Sequence, residues 1–466
     1  MQVTETSVEG LKREYKVVFP AAELDKRAVE RLAALKDRVQ LAGFRPGKVP
    51  IPHLKRIYGK SVMGEVIEQA IAEVNGKIVS DGGFRLALEP RVTLADQAEA
   101  AVKEVVEGRA DLAYTVAIEV LPKVELTNFK EISLARPVHE PTEEEIDEMV
   151  KTIAEQNRTF TTKQGKAENG DRVVVSFKGT MDGKTLEGGS AEEVPVVIGQ
   201  GGFLPGFEEQ LIGIAPGETR TVNVTFPKNY LAEHLAGKDA VFEVATKTVE
   251  GANETKIDDA FAKTLGLDSL AKLKEQVRER LVRGHTQASR AKLKRALLDE
   301  LDSRHKLEVP PSLAEQEFAG MWESTKRELE SAGRTFADED TTEEEAREEY
   351  RKIAERRVRL GLVIAEIGEK NGIKVSDDEL TRAVIERARQ FPGREQQVVE
   401  QYRRNPDALA ALRAPIYEDK VVDYVLELAK VTEKKVSREA LYAQDEQPGQ
   451  GKGKSKDKAK EKVRKK

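Results

Sequence analysis

Alternation in Tyr15-Lys-Val-Val-Phe19 predicts a strand, and Leu24, Ala28, Leu32, Leu35 and Val39, spaced by three and four, mark one face of a helix. That helix is expected to stop at Gly43. The next segment, Gly43-Phe-Arg-Pro-Gly-Lys-Val-Pro50, packs two glycines and two prolines into eight residues and reads as a turn-rich loop. A helix resumes at Ile51 to Tyr58, and strands near 84–90 and 111–121 close a first mixed region. Thr142, with Glu145 three residues on, has the capping-box spacing and predicts a helix over 142–157. From about 165 to 252 glycine becomes dense. There Val173-Val-Val-Ser-Phe177, Val194-Pro-Val-Val-Ile198, Thr221-Val-Asn-Val-Thr-Phe226 and Ala240-Val-Phe-Glu-Val-Ala245 read as strands between turn signals such as Asp182-Gly183. Helical periodicity then holds to about 430, in Leu270, Leu273, Val277 and Leu281, in Ile353, Val358, Leu362 and Ile367, and in Val421, Tyr424, Val425 and Leu428. Pro310-Pro311, Phe391-Pro-Gly393 and Asn405-Pro406 punctuate these helices.

The pattern predicts a multidomain α+β chain, and 466 residues suit roughly three domains. The expected division is an α+β domain over 1–115, a linker and helix over 116–164, and an antiparallel β domain with a short helix over 165–252. An elongated all-α domain over 253–435 and a disordered lysine-rich tail over 436–466 follow. Charged residues make up 34% and aromatics 5%, so much of the chain is expected to be solvated helix in an extended shape. With no cysteine, disulfides, thiolate nucleophiles and zinc knuckles are excluded, which fits a reducing compartment. The net charge of -6 hides an asymmetry, because residues 451–466 carry +7 and leave -13 for the rest. Any nucleic-acid contact of so acidic a body must be local. No basic segment followed by an apolar one opens the chain, and no apolar run approaches a membrane span, so the sequence predicts a soluble cytoplasmic protein.

Several chemistries fail on spacing. His53, His139, His234, His285 and His305 lie far apart with no HxxxH pair, so no metal centre is expected. Gly201-Gly-Phe-Leu-Pro-Gly206 has the spacing of a phosphate loop but runs into Phe207-Glu208 instead of lysine and a hydroxyl, so no nucleotide cofactor is expected either. No GxSxG elbow occurs. The informative stretch runs from Val194 to Gly213, where a strand ends at Gly199 and a glycine turn follows. A very short helix is predicted from Pro205, with Glu208 and Glu209 in its first turn and Gly213 at its end. Phe203, Leu204 and Phe207 would form its apolar side, and taken alone this is better explained as a hydrophobic plug.

The run resembles the strand-turn-helix signature of FKBP-type peptidyl-prolyl isomerases. The elements around it match in order: Val173 to Phe177, Asp182-Gly-Lys-Thr-Leu-Glu-Gly188, Phe226-Pro-Lys-Asn-Tyr230 and Val241-Phe242. The resemblance covers about 165–250 and implies an apolar pocket of Phe177, Leu186, Glu187, Phe203, Leu204, Phe207, Tyr230 and Phe242. Small single-domain members usually carry an aspartate and a tryptophan where this chain has Glu187 and Phe207. Such a pocket needs no acid–base pair. Rotation about an X-Pro bond meets a barrier of about 18–20 kcal/mol from lost amide resonance, without covalent bonding to the substrate. About 5 kcal/mol of preference for the less dipolar twisted amide, with a donor such as Tyr230 on the carbonyl, gives roughly three to four decades of rate.

The loop Gly43, Phe44, Arg45, Pro46, Gly47, Lys48 reads either as an ordinary solvated turn or as a rigid tip offering an aromatic and a guanidinium as anchors. Together with the FKBP-like insertion and the helical C-terminal region, it resembles bacterial trigger factors over essentially 1–435. That resemblance implies a ribosome-binding domain at 1–115, docking by 43–48 on a protein and rRNA of the large subunit beside the exit tunnel. It implies ATP-independent binding of nascent and unfolded polypeptides by the helical region, and leaves open a homodimer off the ribosome. The family often has a second basic residue where this chain has Pro46, so Arg45 and Lys48 carry the charge and docking is expected to be salt-sensitive. The resemblance also places the helix at 142–157 with the C-terminal region. Two rival readings remain: an isomerase acting mainly on free unfolded proteins, and a helical scaffold without clients.

Overall fold

The computed structural model describes residues 1–36, 39, 44, 48–96, 98–181, 184–227, 235–253, 255–339 and 341–443, without the side chains of Glu99, Glu187 and Glu339. The chain opens with β1 (Gln2–Glu9), β2 (Lys12–Phe19), α1 (Ala21–Leu35), α2 (Ile51–Gly82), β3 (Arg91–Leu94), α3 (Glu99–Val106) and β4 (Leu112–Glu119). It continues with β5 (Ser133–Val138), α4 (Glu143–Gln156), β6 (Phe160–Thr162), β7 (Arg172–Met181), β8 (Lys184–Val197), β9 (Thr219–Thr225) and β10 (Asp239–Ala252). Then come α5 (Asp259–Thr264), α6 (Leu270–Arg304), α7 (Pro311–Ser331), α8 (Glu343–Lys370), α9 (Asp377–Ala388), α10 (Glu395–Arg404), α11 (Pro406–Leu428), β11 (Lys430–Lys435) and α12 (Arg438–Tyr442). The residues group into two compact units. One holds Met1–Phe129, Leu298–Trp322 and Arg347–Leu428; the other holds Lys130–Leu297, Glu323–Ala346 and the chain from Ala429.

In the first unit, an antiparallel sheet in the order β1-β2-β4-β3 turns Tyr15, Val17 and Phe19 to the same face as Leu112, Tyr114, Val116 and Ile118. Period two makes that face apolar, and Leu24, Ala28 and Leu32 of α1, at period four, close over it. The second helix is much longer than the expected Ile51–Tyr58. Val62, Met63, Val66, Ala70, Val74 and Ile78 extend its buried stripe through Gly59, Gly64 and Gly76. Near 84–90 only a bridge between Leu86 and Val120 forms, and the edge strand is β3 instead. The expected helix stop at Gly43 lies outside the described residues. Farther along, Phe318 stacks on the buried Trp322, Tyr350 meets that indole edge-on, and Arg347 lies over it.

The second unit contains a five-stranded antiparallel sheet in which β10 pairs β7 on one side and β9, then β6, on the other, while β7 also pairs β8. The capping box at Thr142 forms, with Glu145 N–H donating to Thr142 Oγ1 at 3.3 Å and Thr142 N–H to Glu145 Oε2 at 3.1 Å. Ile146, Val150 and Ala154 of α4 pack with Phe261 and Ala262 of α5 and Leu273, Val277 and Leu281 of α6, which joins this helix to the C-terminal region. The region is not purely helical, because β11 pairs in parallel with β5, Lys430 opposite Ser133. Nor does disorder begin at 436: Ser437 caps α12, whose Leu441 is buried. Among the described residues no helix is long and apolar enough to cross a membrane.

Candidate functional site

Four phenylalanines from distant parts of the 165–252 region converge. Phe177 comes from β7, Phe242 from β10, and Phe203 and Phe207 from the turn after β8. Phe207 meets Phe177 at 6.0 Å and Phe242 at 5.8 Å, both edge-on, while Phe203 stacks on it at 5.4 Å. Phe177 and Phe242 meet edge-on at 5.8 Å. Edge-to-face contact sets the positive rim of one ring on the negative face of the next, which fixes the cluster as a cradle. Phe207 and Phe242 form its buried floor, and Phe177, Leu186, Phe203 and Leu204 are half-buried at its wall. The close approach of the β7 backbone demands glycine at 179, where an added Cβ would lie 2.7 Å from the Phe242 ring.

The turn that carries Phe203 is shaped by positive φ at Gly199 and Gly201 and held from within. Glu208, 4% exposed, does not face solvent in a helical first turn. Its Oε2 accepts the N–H groups of Gly199 and Gly201, each at 2.9 Å, and its Oε1 accepts those of Gly202 at 2.8 Å and Phe203 at 3.2 Å. Four donors on one carboxylate form an anion nest that fixes where the Phe203 ring leaves the backbone. The helix expected from Pro205 is correspondingly only a 3₁₀ turn, Glu209–Leu211. Gln210 ties that turn to β9, donating to the carbonyls of Gly206 and Asn223 and accepting from Asn223 N–H. Sequence reasoning missed Glu208 and Gln210 as supports, and only the density of glycine at 199–202 hinted that a backbone nest was needed.

Of the expected pocket residues, Tyr230 lies outside the described residues, and so does the side chain of Glu187. Among the described cradle residues no carboxylate or imidazole is free to act as an acid or base, since the one carboxylate is engaged by backbone N–H groups. What the described cradle offers is enclosure, an apolar setting walled by aromatic and leucine side chains. Of the loop residues, Gly43, Arg45, Pro46 and Gly47 lie outside the described set. Phe44 is 37% exposed, its ring centroid 4.9 Å from that of His53, and Lys48 is exposed. Val49, fully buried, anchors the end of the loop, and Pro50 leads directly into α2. The ligating atoms of His139, Glu145 and His285 also converge, far along the chain from the cradle.

Comparison with known proteins accounts for both ends and the middle of the chain. Residues 1–153 match the model of the bacterial trigger factor protein, 163–247 that of FKBP-type peptidyl-prolyl cis-trans isomerases, and 269–427 that of the trigger factor C-terminus. The trigger factor of Azorhizobium caulinodans is 64% identical, and the match covers 96% of this chain and 99% of that one. Those of Rhodopseudomonas palustris and Bradyrhizobium diazoefficiens are 59% and 58% identical over the same shares. A solved trigger factor chaperone, described for promiscuous substrate recognition in folding and assembly, shares the fold at a TM-score of 0.55 and 21% identity, covering 92% of this chain and 99% of its own. The chain therefore belongs to the trigger factor family of chaperones and carries between its two trigger factor segments an FKBP-type peptidyl-prolyl isomerase domain.

Proposed function

We propose that this trigger factor works in the cytoplasm as an ATP-independent chaperone docked through residues 43–48 on the large ribosomal subunit, beside the exit tunnel. The observation that carries the reading is Phe44, a large aromatic 37% exposed between two helices, with Lys48 exposed and the buried Val49 anchoring the loop's end. Its ring packs beside His53, 4.9 Å between centroids, and leaves part of its face open to a partner. Arg45 and Lys48 supply charge for rRNA and Phe44 fills a shallow pocket on a ribosomal protein. In this reading 1–115 is the ribosome-binding domain and 116–164 links it onward to an isomerase domain at 165–252. Residues 253–435 hold the client. Exposed apolar side chains amid charge suit weak contact with nascent and unfolded segments, among them Val282, Ile385 and Phe391. A cavity of about 360 Å³ lined by Phe391, Val398, Tyr402 and Arg387 offers one such place.

The isomerase pocket consists of Phe177, Leu186, Glu187, Phe203, Leu204, Phe207, Tyr230 and Phe242. The proline ring enters over Phe207 and Phe242, water is excluded by Phe203 and Leu204, and Tyr230 donates to the substrate carbonyl. The dry cradle disfavours the dipolar planar amide relative to the twisted one, which lowers the rotation barrier with no metal or nucleotide. Co-sedimentation with purified ribosomes tests the docking role. Recovery of the wild type with loss of Arg45→Ala supports it, and equal recovery of both rejects it.

A further inference from the structure

The fold joins two histidines that spacing along the chain keeps apart. His139 directly follows β5, Glu145 lies in the first turn of α4, and His285 lies within α6. The two imidazoles are 5.0 Å apart between centroids, and one ligating atom from each of the three residues lies within 4.8 Å of the others. His139 Nδ1 is 3.0 Å from the Val436 carbonyl, which can only accept, so Nδ1 bears the proton. Its Nε2 therefore turns toward Glu145 Oε1 and Oε2, at 3.0 and 3.2 Å. A lone pair and a carboxylate at that separation need a positive centre between them, either a second proton on the ring or a shared cation. His285 decides between these. It is 3% exposed, and its Nδ1 is enclosed with no hydrogen-bond partner. Buried polar atoms are rarely left so. His285 already bonds the His139 backbone, and a proton on His139 would answer Glu145 but leave His285 Nδ1 without a partner, whereas a metal ion recruits a donor from all three.

We propose that His139, Glu145 and His285 form a binding site for a borderline divalent ion of the Zn²⁺ class. Two imidazole nitrogens and one carboxylate oxygen suit such an ion, while Mg²⁺ and Ca²⁺ take oxygen alone. The outer partners are in place: the Val436 carbonyl orients the far nitrogen of His139, and Thr142 N–H orients Glu145. The ion would pin the end of β5, the start of α4, α6 and the segment after β11 to one point. Its role is structural, independent of the isomerase cradle and of ribosome docking.

Calorimetric titration of Zn²⁺ into the tag-free full-length chain at neutral pH, beside His285→Gln and Glu145→Gln, tests the site. The expected result is about one ion per wild-type chain, affinity at least about tenfold lower in each variant, and a thermal midpoint raised by Zn²⁺ in the wild type alone. Absence of stoichiometric binding to the wild type overturns the proposal. So does unchanged affinity in the variants, which would place the ion elsewhere, at His53 or His305 for example. Should His285→Gln fail to fold by circular dichroism, the isosteric Glu145→Gln decides the matter.

Discussion

Phe203 and Glu208 play opposite parts in one turn, and each supports its own prediction. Phe203 is half-buried and stacks on Phe207 without forming the floor of the core. Phe203→Ala should therefore cut prolyl isomerisation, measured on a peptide by a protease-coupled or exchange assay, by at least about tenfold, or about 1.4 kcal/mol. It should leave the unfolding midpoint nearly unchanged. Glu208→Ala removes the acceptor from four N–H groups at once, and unsatisfied buried donors cost about 1–3 kcal/mol each. Urea unfolding should show a loss of at least about 3 kcal/mol, and an unchanged midpoint would mean that the nest contributes nothing. The cradle's aromatic members were legible in the sequence because several spaced elements agree in order. Glu208 was not. A glutamate after Pro-Gly-Phe reads as the first turn of a helix, and only the curl of 199–203 turns it inward.

Caps and pairings decide the elements, and they differ in how far sequence foretells them. The Thr142–Glu145 capping box is local, so its spacing sufficed, and Thr142→Ala should cost about 1 kcal/mol in denaturant unfolding. A second capping box, Ser376 with Glu379, is tied to α11 through Lys420, whose Nζ lies 2.8 and 2.9 Å from the two carboxylate oxygens. Lys420 above all, then Ser376, holds the Glu379 carboxyl down at about 2, against an ordinary 4.5. The pair's contribution is thus fully present above about 4.5 and lost as pH falls toward 2. Lys420→Met should narrow the stability gap to wild type across that interval, as an acid titration followed by circular dichroism would show. A gap that stays constant down to pH 2 would contradict the pair. Partnerships between distant segments were illegible. Lys430–Lys435 is largely exposed, so no alternation betrays β11, and only its parallel partner β5 makes it a strand. The length of α2 was obscured by Gly59, Gly64 and Gly76, although its apolar stripe never lapses.

Across the whole molecule, the proposed function assigns catalysis and the holding of clients to different surfaces. The cradle is apolar and largely enclosed, whereas apolar side chains of the helical region lie exposed among charges. Phe203→Ala should accordingly suppress aggregation of an unfolded protein as well as the wild type does. Parallel loss of both activities would put the clients in the cradle. Charge belongs to this scale too. In the proposed docking, a chain with a net -6 would approach rRNA against its own field, so binding there would have to rest on a few local contacts. Those contacts should weaken as salt rises. The most direct test of the central claim is recovery with ribosomes of the wild type, Phe44→Ala and Arg45→Ala at matched salt, with folding checked by circular dichroism. The wild type should pellet and both variants should stay largely in the supernatant. Equal pelleting of all three would contradict docking through this loop.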